Sequence, residues 1–277
     1  MQRIVLFVIL VFFCLQPSAQ AFTLEGQLTQ GGMAIGKVDP GAAVRFQGKS
    51  VQVSPDGLFV VGFSRDADPT LEIEIQQPSG EVEKHAIHIK KRTYKIQRID
   101  GLPPRKVSPS KEDLDRIYKD IALVKKARKI DDPRLDFTQP FIWPVVGRIS
   151  GVYGSQRILN GKPRRPHFGV DIAAPTGTPV KAPADGVVTM VHDDMFYSGG
   201  TLIVDHGHGV STVYMHLHKI LVKKGQPVRQ GDVIAQVGAT GRVTGPHLHW
   251  GMNWFETRLD PSLLVPPMPK PAAKNQS

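Results

Sequence analysis

Apolar and polar residues alternate over short stretches in the first third of the chain. Val44-Arg45-Phe46, Val51-Gln52-Val53, Leu58-Phe59-Val60-Val61 and Leu71-Glu72-Ile73-Glu74-Ile75 are broken by Pro55-Asp56-Gly57 and Pro78-Ser79-Gly80. Side chains two apart on a strand share a face, so this pattern predicts a small β-sandwich over residues 22–101. Leu102-Pro103-Pro104 closes it. The period then changes. Leu114, Ile117, Ile121 and Val124 recur at three- and four-residue steps, one apolar stripe of a helix inside a linker spanning 102–139. Ser110 ahead of Glu112 and Asp113 marks its start, and Lys125, Lys126, Arg128 and Lys129 suit its end, as a solvated basic face complementing the helix dipole. From 140 to 264 the pattern is β again, with turns in Pro183-Ala184-Asp185-Gly186-Val187-Val188, Val222 to Val228 and Gln230 to Ile234. The segment 265–277 is rich in Pro and Lys with little to bury, and is expected to be disordered. The fold class is therefore mainly β: an N-terminal small sandwich, a linker helix and a C-terminal β domain.

The first residues read differently. Arg3 precedes an unbroken apolar run from Ile4 to Leu15, and Ala19-Gln20-Ala21 supplies a small-x-small cleavage signal. The run is about a dozen residues, short of the roughly 20 that span a bilayer. Residues 1–21 are expected to be a signal peptide cleaved after Ala21, giving a periplasmic or secreted protein with no stable membrane span. Cys14 is the only cysteine and leaves with that segment. Phe13 stands where a lipid-attachment signal would have a small residue. The mature chain thus has no disulfide, no thiol nucleophile and no thiolate ligand, so a metal site must be built from His and carboxylate.

The formal net charge is +10, which favours a polyanionic partner. An exported chain without interleaved aromatics is no nucleic-acid binder. Anionic cell wall or outer-surface polymer fits better, and the basic end of the helix is a second place where it could touch.

Eight of the ten histidines lie between His167 and His249. Three patterns stand out: His167-x-x-x-Asp171, Tyr214-x-His216-Leu217 and His247-x-His249. On a strand His247 and His249 share a face, with Leu248 and Trp250 turned to the core. Both could bind one metal, or one could bind while the other works on bound water. His167 and Asp171 would stand about 13 Å apart on a straight strand, but Gly169 permits a bend that closes the gap. An Asp with two His gives zinc three protein ligands and leaves the fourth position for water, the catalytic arrangement. No HExxH motif is present, and Glu256 is the only glutamate after Glu112, so if this domain hydrolyses amides the expected base is a histidine, His216 or His247. His206 and His208 have x-His-x-His spacing but sit among glycines as in a turn. His85, His88, His192 and His218 read as bystanders, and Arg164 and Arg165 as loop charges or a site for a peptide carboxylate.

With these residues in view, the chain resembles the lysostaphin-like (LytM-type) zinc endopeptidases over roughly residues 140–264. The resemblance runs on through Gly169-Val170-Asp171-Ile172-Ala173-Ala174-Pro175, Ala182 to Val188, Asp205-His206-Gly207-x-Gly209 and Val237-Gly238-Ala239-Thr240-Gly241. More softly, residues 22–101 resemble the companion domain of Gram-negative members. The resemblance implies an antiparallel β metallopeptidase domain, Zn2+ as cofactor and His167, Asp171 and His249 as its ligands. It implies that His216 and His247 assist the metal-bound water and that the substrate is the peptide cross-link of peptidoglycan stem peptides. The regulatory expectation is that the N-terminal module restricts the groove. The rival expectations are a non-catalytic peptidoglycan-binding regulator of cell-wall amidases, and a biotinyl-type carrier module, which would need a modifiable lysine at a hairpin tip.

Overall fold

A computed structural model describes residues 22–269; the expected signal peptide and residues 270–277 lie outside that range. The N-terminal part runs β1 (Thr23–Gly26), β2 (Met33–Lys37), β3 (Ala43–Phe46), β4 (Lys49–Val51), β5 (Leu58–Gly62), β6 (Thr70–Gln76) and β7 (Val82–His88). One sheet has the order β1-β2-β5 and the other β4-β3-β6-β7. Alternation along these strands turns Phe59, Val61, Ile73 and Ile75 inward, where they are fully buried. Each such side chain contributes about 1.5–3 kcal/mol relative to exposure. The sandwich predicted from the alternation is present, and Gly57 and Gly80 take the positive φ values (82° and 91°) that its turns require.

The next strand, β8 (Ile96–Ile99), leaves the sandwich and crosses to the C-terminal part. It is followed by a single turn, α1 (Pro104–Val107), which the sequence pattern did not suggest, and by α2 (Lys111–Arg128). The start of α2 is a capping box: the Ser110 hydroxyl accepts from the Asp113 N–H and the Asp113 carboxylate accepts from the Ser110 N–H. The expected apolar stripe is only half used. Ile117, Val124 and Ala127 face the protein, whereas Leu114 and Ile121 are exposed. Arg128, expected on a solvated face, is buried.

The C-terminal part continues with β9 (Arg148–Gly151), β10 (Gln156–Leu159), β11 (Lys162–Pro163), β12 (Val170–Ala173), β13 (Pro179–Lys181), β14 (Gly186–Met195), β15 (Gly199–Asp205), β16 (Val210–Ile220), β17 (Pro227–Val228), β18 (Val233–Val237), β19 (His247–Trp254) and β20 (Thr257–Leu259). The main sheet runs β17-β14-β15-β16-β19-β12-β9, its pairs antiparallel, with β13, β18 and β20 attached. Its core holds Ile172, Val180, Leu202, Tyr214, Leu248 and Trp250, all fully buried or nearly so. β10 pairs with β11 on one side and, in parallel, with β8 on the other.

The two parts share a core. Met33 and Val60 of the sandwich cluster with Val210, Met252 and Leu259 of the main sheet. Arg92 pairs with the buried Asp260 at 2.8 Å across the same junction. The segment expected to be disordered is ordered in its first residues: Trp143 Nε1–H donates to Pro266 O, and Met268 packs on the main core. Among the described residues no helix is long and apolar enough to cross a membrane.

Candidate metal centre

Strand pairing assembles the site. β12 and β19 run antiparallel with Asp171 opposite His249 and Ala173 opposite His247. The period of two puts both histidines on one face, while Leu248 and Trp250 are fully buried on the other. The chain bends at Gly169, just before β12, and this brings His167 back over the strand. Glycine is required there: a Cβ would lie 2.7 Å from the His249 ring. The same holds at Gly151, where a Cβ would stand 2.4 Å from Asp171 Oδ2.

His216 comes from β16 by a different device. Its φ is +65°, an unusual value for a non-glycine residue. The residue lies where the pairing of β16 with β15 slips, between Tyr214 and Leu217 opposite Leu202 and Gly200. Such a kink re-aims a side chain that regular alternation would place elsewhere. The His216 N–H donates to Ser198 O at 2.7 Å, which holds the backbone in place.

Three side-chain atoms converge. His167 Nε2 lies 2.9 Å from His249 Nδ1 and 2.9 Å from Asp171 Oδ1, and His249 Nδ1 lies 2.8 Å from the same oxygen. All three residues are buried. The other carboxylate oxygen, Oδ2, accepts from Arg157 Nη2 at 2.7 Å. His247 Nε2 stands 3.9 Å from Asp171 Oδ1, and the His216 and His247 ring centroids are 4.9 Å apart.

Backbone carbonyls assign the ring protons. His167 Nδ1–H donates to Val152 O at 3.1 Å, His216 Nδ1–H to Thr240 O at 2.8 Å, and His247 Nδ1–H to Gly245 O at 2.9 Å. Each of these rings, when neutral, therefore presents the Nε2 lone pair to the site. Burial, with His247 and His249 beside it, pushes His216 down to about 3, and burial lowers His249 to about 4. Burial alone would raise Asp171, but hydrogen bonds with His167 and His249 hold it well below the usual carboxylate range.

This donor set fits a cation such as zinc. His167 Nε2 and Asp171 Oδ1 are both acceptors, yet they stand at hydrogen-bond distance. His249 Nδ1 has at most one proton to offer the pair. An ion about 2.0–2.2 Å from each atom would remove that conflict, and two imidazoles with one carboxylate are ligands that zinc accepts. The hydrogen bonds from His167 to Val152 and from Arg157 to Asp171 would orient these groups toward such an ion from behind.

All five residues singled out in the sequence, His167, Asp171, His216, His247 and His249, are thus brought together. His206 and His208 are not among them. His206 Nδ1–H donates to Asp185 O, and its Nε2 joins a buried chain through the Thr212 and Tyr214 hydroxyls. His208 is buried against Phe137. Sequence reasoning missed Arg157, which bears no local signal: it lies on β10, outside the three histidine patterns, and meets Asp171 of β12 only in the folded chain. Two cavities flank the cluster. A small one of about 160 Å³ touches Asp171, His216 and His247 beneath Gln97, Ile99 and Leu102. A larger one of about 550 Å³ opens on His167 and His249.

Residues 165–261 match peptidase family M23. The chain is 48% identical over 104 residues to peptidoglycan DD-endopeptidase ShyA of Vibrio cholerae, covering 37% of this chain and 24% of that protein. It is 40% identical over 126 residues to DD-carboxypeptidase/endopeptidase Mpg of Neisseria meningitidis, covering 46% and 29%. The chain therefore spans about a quarter of the length of these curated relatives. A crystal structure of a peptidase M23 from Pseudomonas aeruginosa superposes with a TM-score of 0.66 and 33% identity over 86% of this chain and 95% of that one. With nearly the whole of that protein matched, sandwich included, this chain belongs to peptidase family M23.

Proposed function

We propose that the protein is a zinc-dependent endopeptidase that hydrolyses the peptide cross-links of bacterial peptidoglycan, acting in the periplasm or outside the cell after removal of residues 1–21. The observation that carries this reading is the meeting of His167, Asp171 and His249 at 2.8–2.9 Å with two further histidines beside them. The peptidoglycan substrate comes from the relatives named above.

In this reading His167 Nε2, Asp171 Oδ1 and His249 Nδ1 hold the ion. When bound, zinc lowers the pKa of a coordinated water toward neutrality and polarises a carbonyl. The chain's own groups supply the rest. His216 and His247, each tethered through Nδ1–H to a carbonyl, offer Nε2 to take the proton of the attacking water and to return it to the leaving amine. Once protonated, a histidine at that place also stabilises the developing oxyanion. Arg157 occupies Asp171 Oδ2, which would leave Oδ1 as the oxygen offered to the ion.

The test uses the zinc-loaded full chain on defined cross-linked muropeptides, with products read by mass spectrometry. Cleavage that EDTA abolishes and zinc restores is expected. A metal-loaded protein that leaves the cross-links intact would overturn the reading and favour the regulator of amidases instead. The N-terminal part is proposed to narrow the groove, since Gln97, Ile99 and Leu102 wall the small cavity over the histidines. A variant with Gln97 and Ile99 both changed to Ala is expected to cut intact sacculi faster, and an unchanged rate would refute this.

A further inference from the structure

The larger cleft has two kinds of wall. Ile117, Ile121 and Val124 of α2 form an apolar stretch with Phe168 and Met215, and Arg128, Arg164, Arg165, Arg242 and Arg258 form a basic one. Arg128 is only 3% exposed, Arg164, Arg242 and Arg258 are partly buried, and Arg165 is open to solvent.

Elsewhere the chain pairs its shielded arginines with carboxylates. Arg92 is paired with Asp260, Arg134 with Asp132, Asp136 and Asp205, and Arg157 with Asp171. Among the described residues, none of the five cleft arginines has a carboxylate within ion-pair distance. Their hydrogen bonds are to neutral groups. Arg164 donates to Pro163 O and Val107 O, Arg242 to Lys106 O, and Arg128 Nε to the side-chain oxygen of Asn253 at 3.3 Å once that amide is turned to satisfy both its neighbours. Arg242 also lies over the Tyr197 ring, 4.5 Å from its centroid. Two carboxylates line the same cleft. Asp120 accepts from the Phe196 N–H, and Glu256 is exposed, with a charge that reaches Arg128 and Arg258 without pairing with either.

A guanidinium stays charged at any working pH, and a shielded charge without a counter-ion is costly. Burial, with Arg258 alongside, pushes Arg128 well below its ordinary value, and burial also lowers Arg242 and Arg258. An anion entering the cleft relieves several such costs together, and guanidinium forks match carboxylates in particular.

We propose that this basic wall is a receptor for the free carboxylates of the stem peptide, holding them beside the His–Asp–His cluster while α2 covers the peptide's apolar side. The proposal rests on the peptidoglycan reading and refines it: the preferred substrate carries a free carboxylate on the residues flanking the cut bond, and masking that charge as an amide weakens its capture.

The experiment compares a stem peptide with free carboxylates and the same peptide amidated. Binding to the EDTA-treated full chain is measured by calorimetry, and cleavage of the matching cross-linked dimers by the zinc-loaded chain is measured in parallel. For the wild type, amidation is expected to weaken binding about 10- to 100-fold, as loss of a charged hydrogen bond does. In Arg258→Gln and Arg165→Gln that preference shrinks toward unity, chiefly through the free-carboxylate peptide; Arg128→Met does the same if it folds. Equal binding of both peptides to the wild type, or an equal loss of both in Arg258→Gln, would overturn the receptor. Charge-selective binding without cleavage would sink the peptidase reading alone, and cleavage without charge preference the receptor alone.

Discussion

The two β-rich parts of this molecule bury different things. In residues 22–101 the buried side chains are apolar apart from Gln30 and Ser54, and His85 and His88 sit at the strand surface. In the main sheet His167, Asp171, His206, His216 and His249 are all buried. Burying a polar group costs free energy unless a partner meets it, so a region that keeps several has been built around them. The sandwich packs as a support, sharing Met33 and Val60 with the core of its neighbour. In the proposed reading the main sheet holds the chemistry. Period-two alternation alone made the two look alike, and what separates them is where the imidazoles point.

The sharpest way to break this comparison is to remove one buried imidazole at a time. His249→Ala is expected to lose stoichiometric zinc, read by elemental analysis, and to lower cleavage to background. His216→Ala is expected to keep the metal and lose about 10²–10⁴-fold in rate, the usual worth of a positioned proton-transfer group. Retained cleavage in His249→Ala would remove the ligand assignment. Lost zinc in His216→Ala would merge the two roles.

Acid should also find the main sheet first. Burial holds His206 down to about 4, against an ordinary 6.5. Below pH 6.5 the unfolded chain takes up a proton that the folded one refuses. The stability contributed by the neutral ring is therefore complete above pH 6.5 and lost as pH falls through 4, about 3 kcal/mol in all. Denaturant unfolding of the wild type and His206→Gln at pH 7 and pH 4 is expected to show their difference shrinking by that amount. A difference that stays constant would mean that His206 titrates normally.

A pair of glycines sharpens the contrast at smaller cost. At Gly151 a Cβ meets Asp171 Oδ2 at 2.4 Å, and at Gly36 it meets the Phe59 ring at 2.1 Å. Gly151→Ala is expected to weaken zinc binding about 10- to 100-fold, like other disturbances behind a ligand. Gly36→Ala is expected to cost about 1–3 kcal/mol of stability by overpacking and to leave zinc affinity unchanged. Chelator competition and thermal melts on both variants check this, and a swap of the two effects would contradict it.

Much of this was legible in the residues. Alternation located β3, β5 and β6 and touched β4 at Val51 but did not mark β1 or β2, the Ser110–Asp113 spacing located the start of α2, and His-x-His spacing implied one shared face. Gly169 signalled the bend that lets His167 meet Asp171. What stayed hidden depends on contacts distant in sequence. The left-handed backbone at His216 arises where β15 slips against β16, and nothing in Tyr214-Met215-His216 announces it. Arg157 on β10 meets Asp171 on β12 through tertiary packing, which no local pattern around either residue marks. The stripe of α2 was half misread because the helix rests on the Met190 and Ile203 cluster through Val124 and Ala127 only, leaving Ile121 to line the cleft.

The smallest expected effect tests the comparison from its quiet side. His85 and His88 lie on β7, one half-buried and one exposed. His85 Nε2 contacts Glu83 Oε2 at 3.0 Å, its ring lies 4.7 Å from that of Phe22, and His88 lies 3.5 Å from the Thr70 hydroxyl. Surface contacts of this kind contribute about 0.5 kcal/mol or less. The double substitution His85→Ala, His88→Ala is therefore expected to leave zinc stoichiometry and cleavage rate as they are and to move the melting temperature by no more than a few degrees. Loss of zinc in that variant would place a metal-binding group in the sandwich. The division of labour between a supporting half and a reactive half would then fail at the residues where it looks safest.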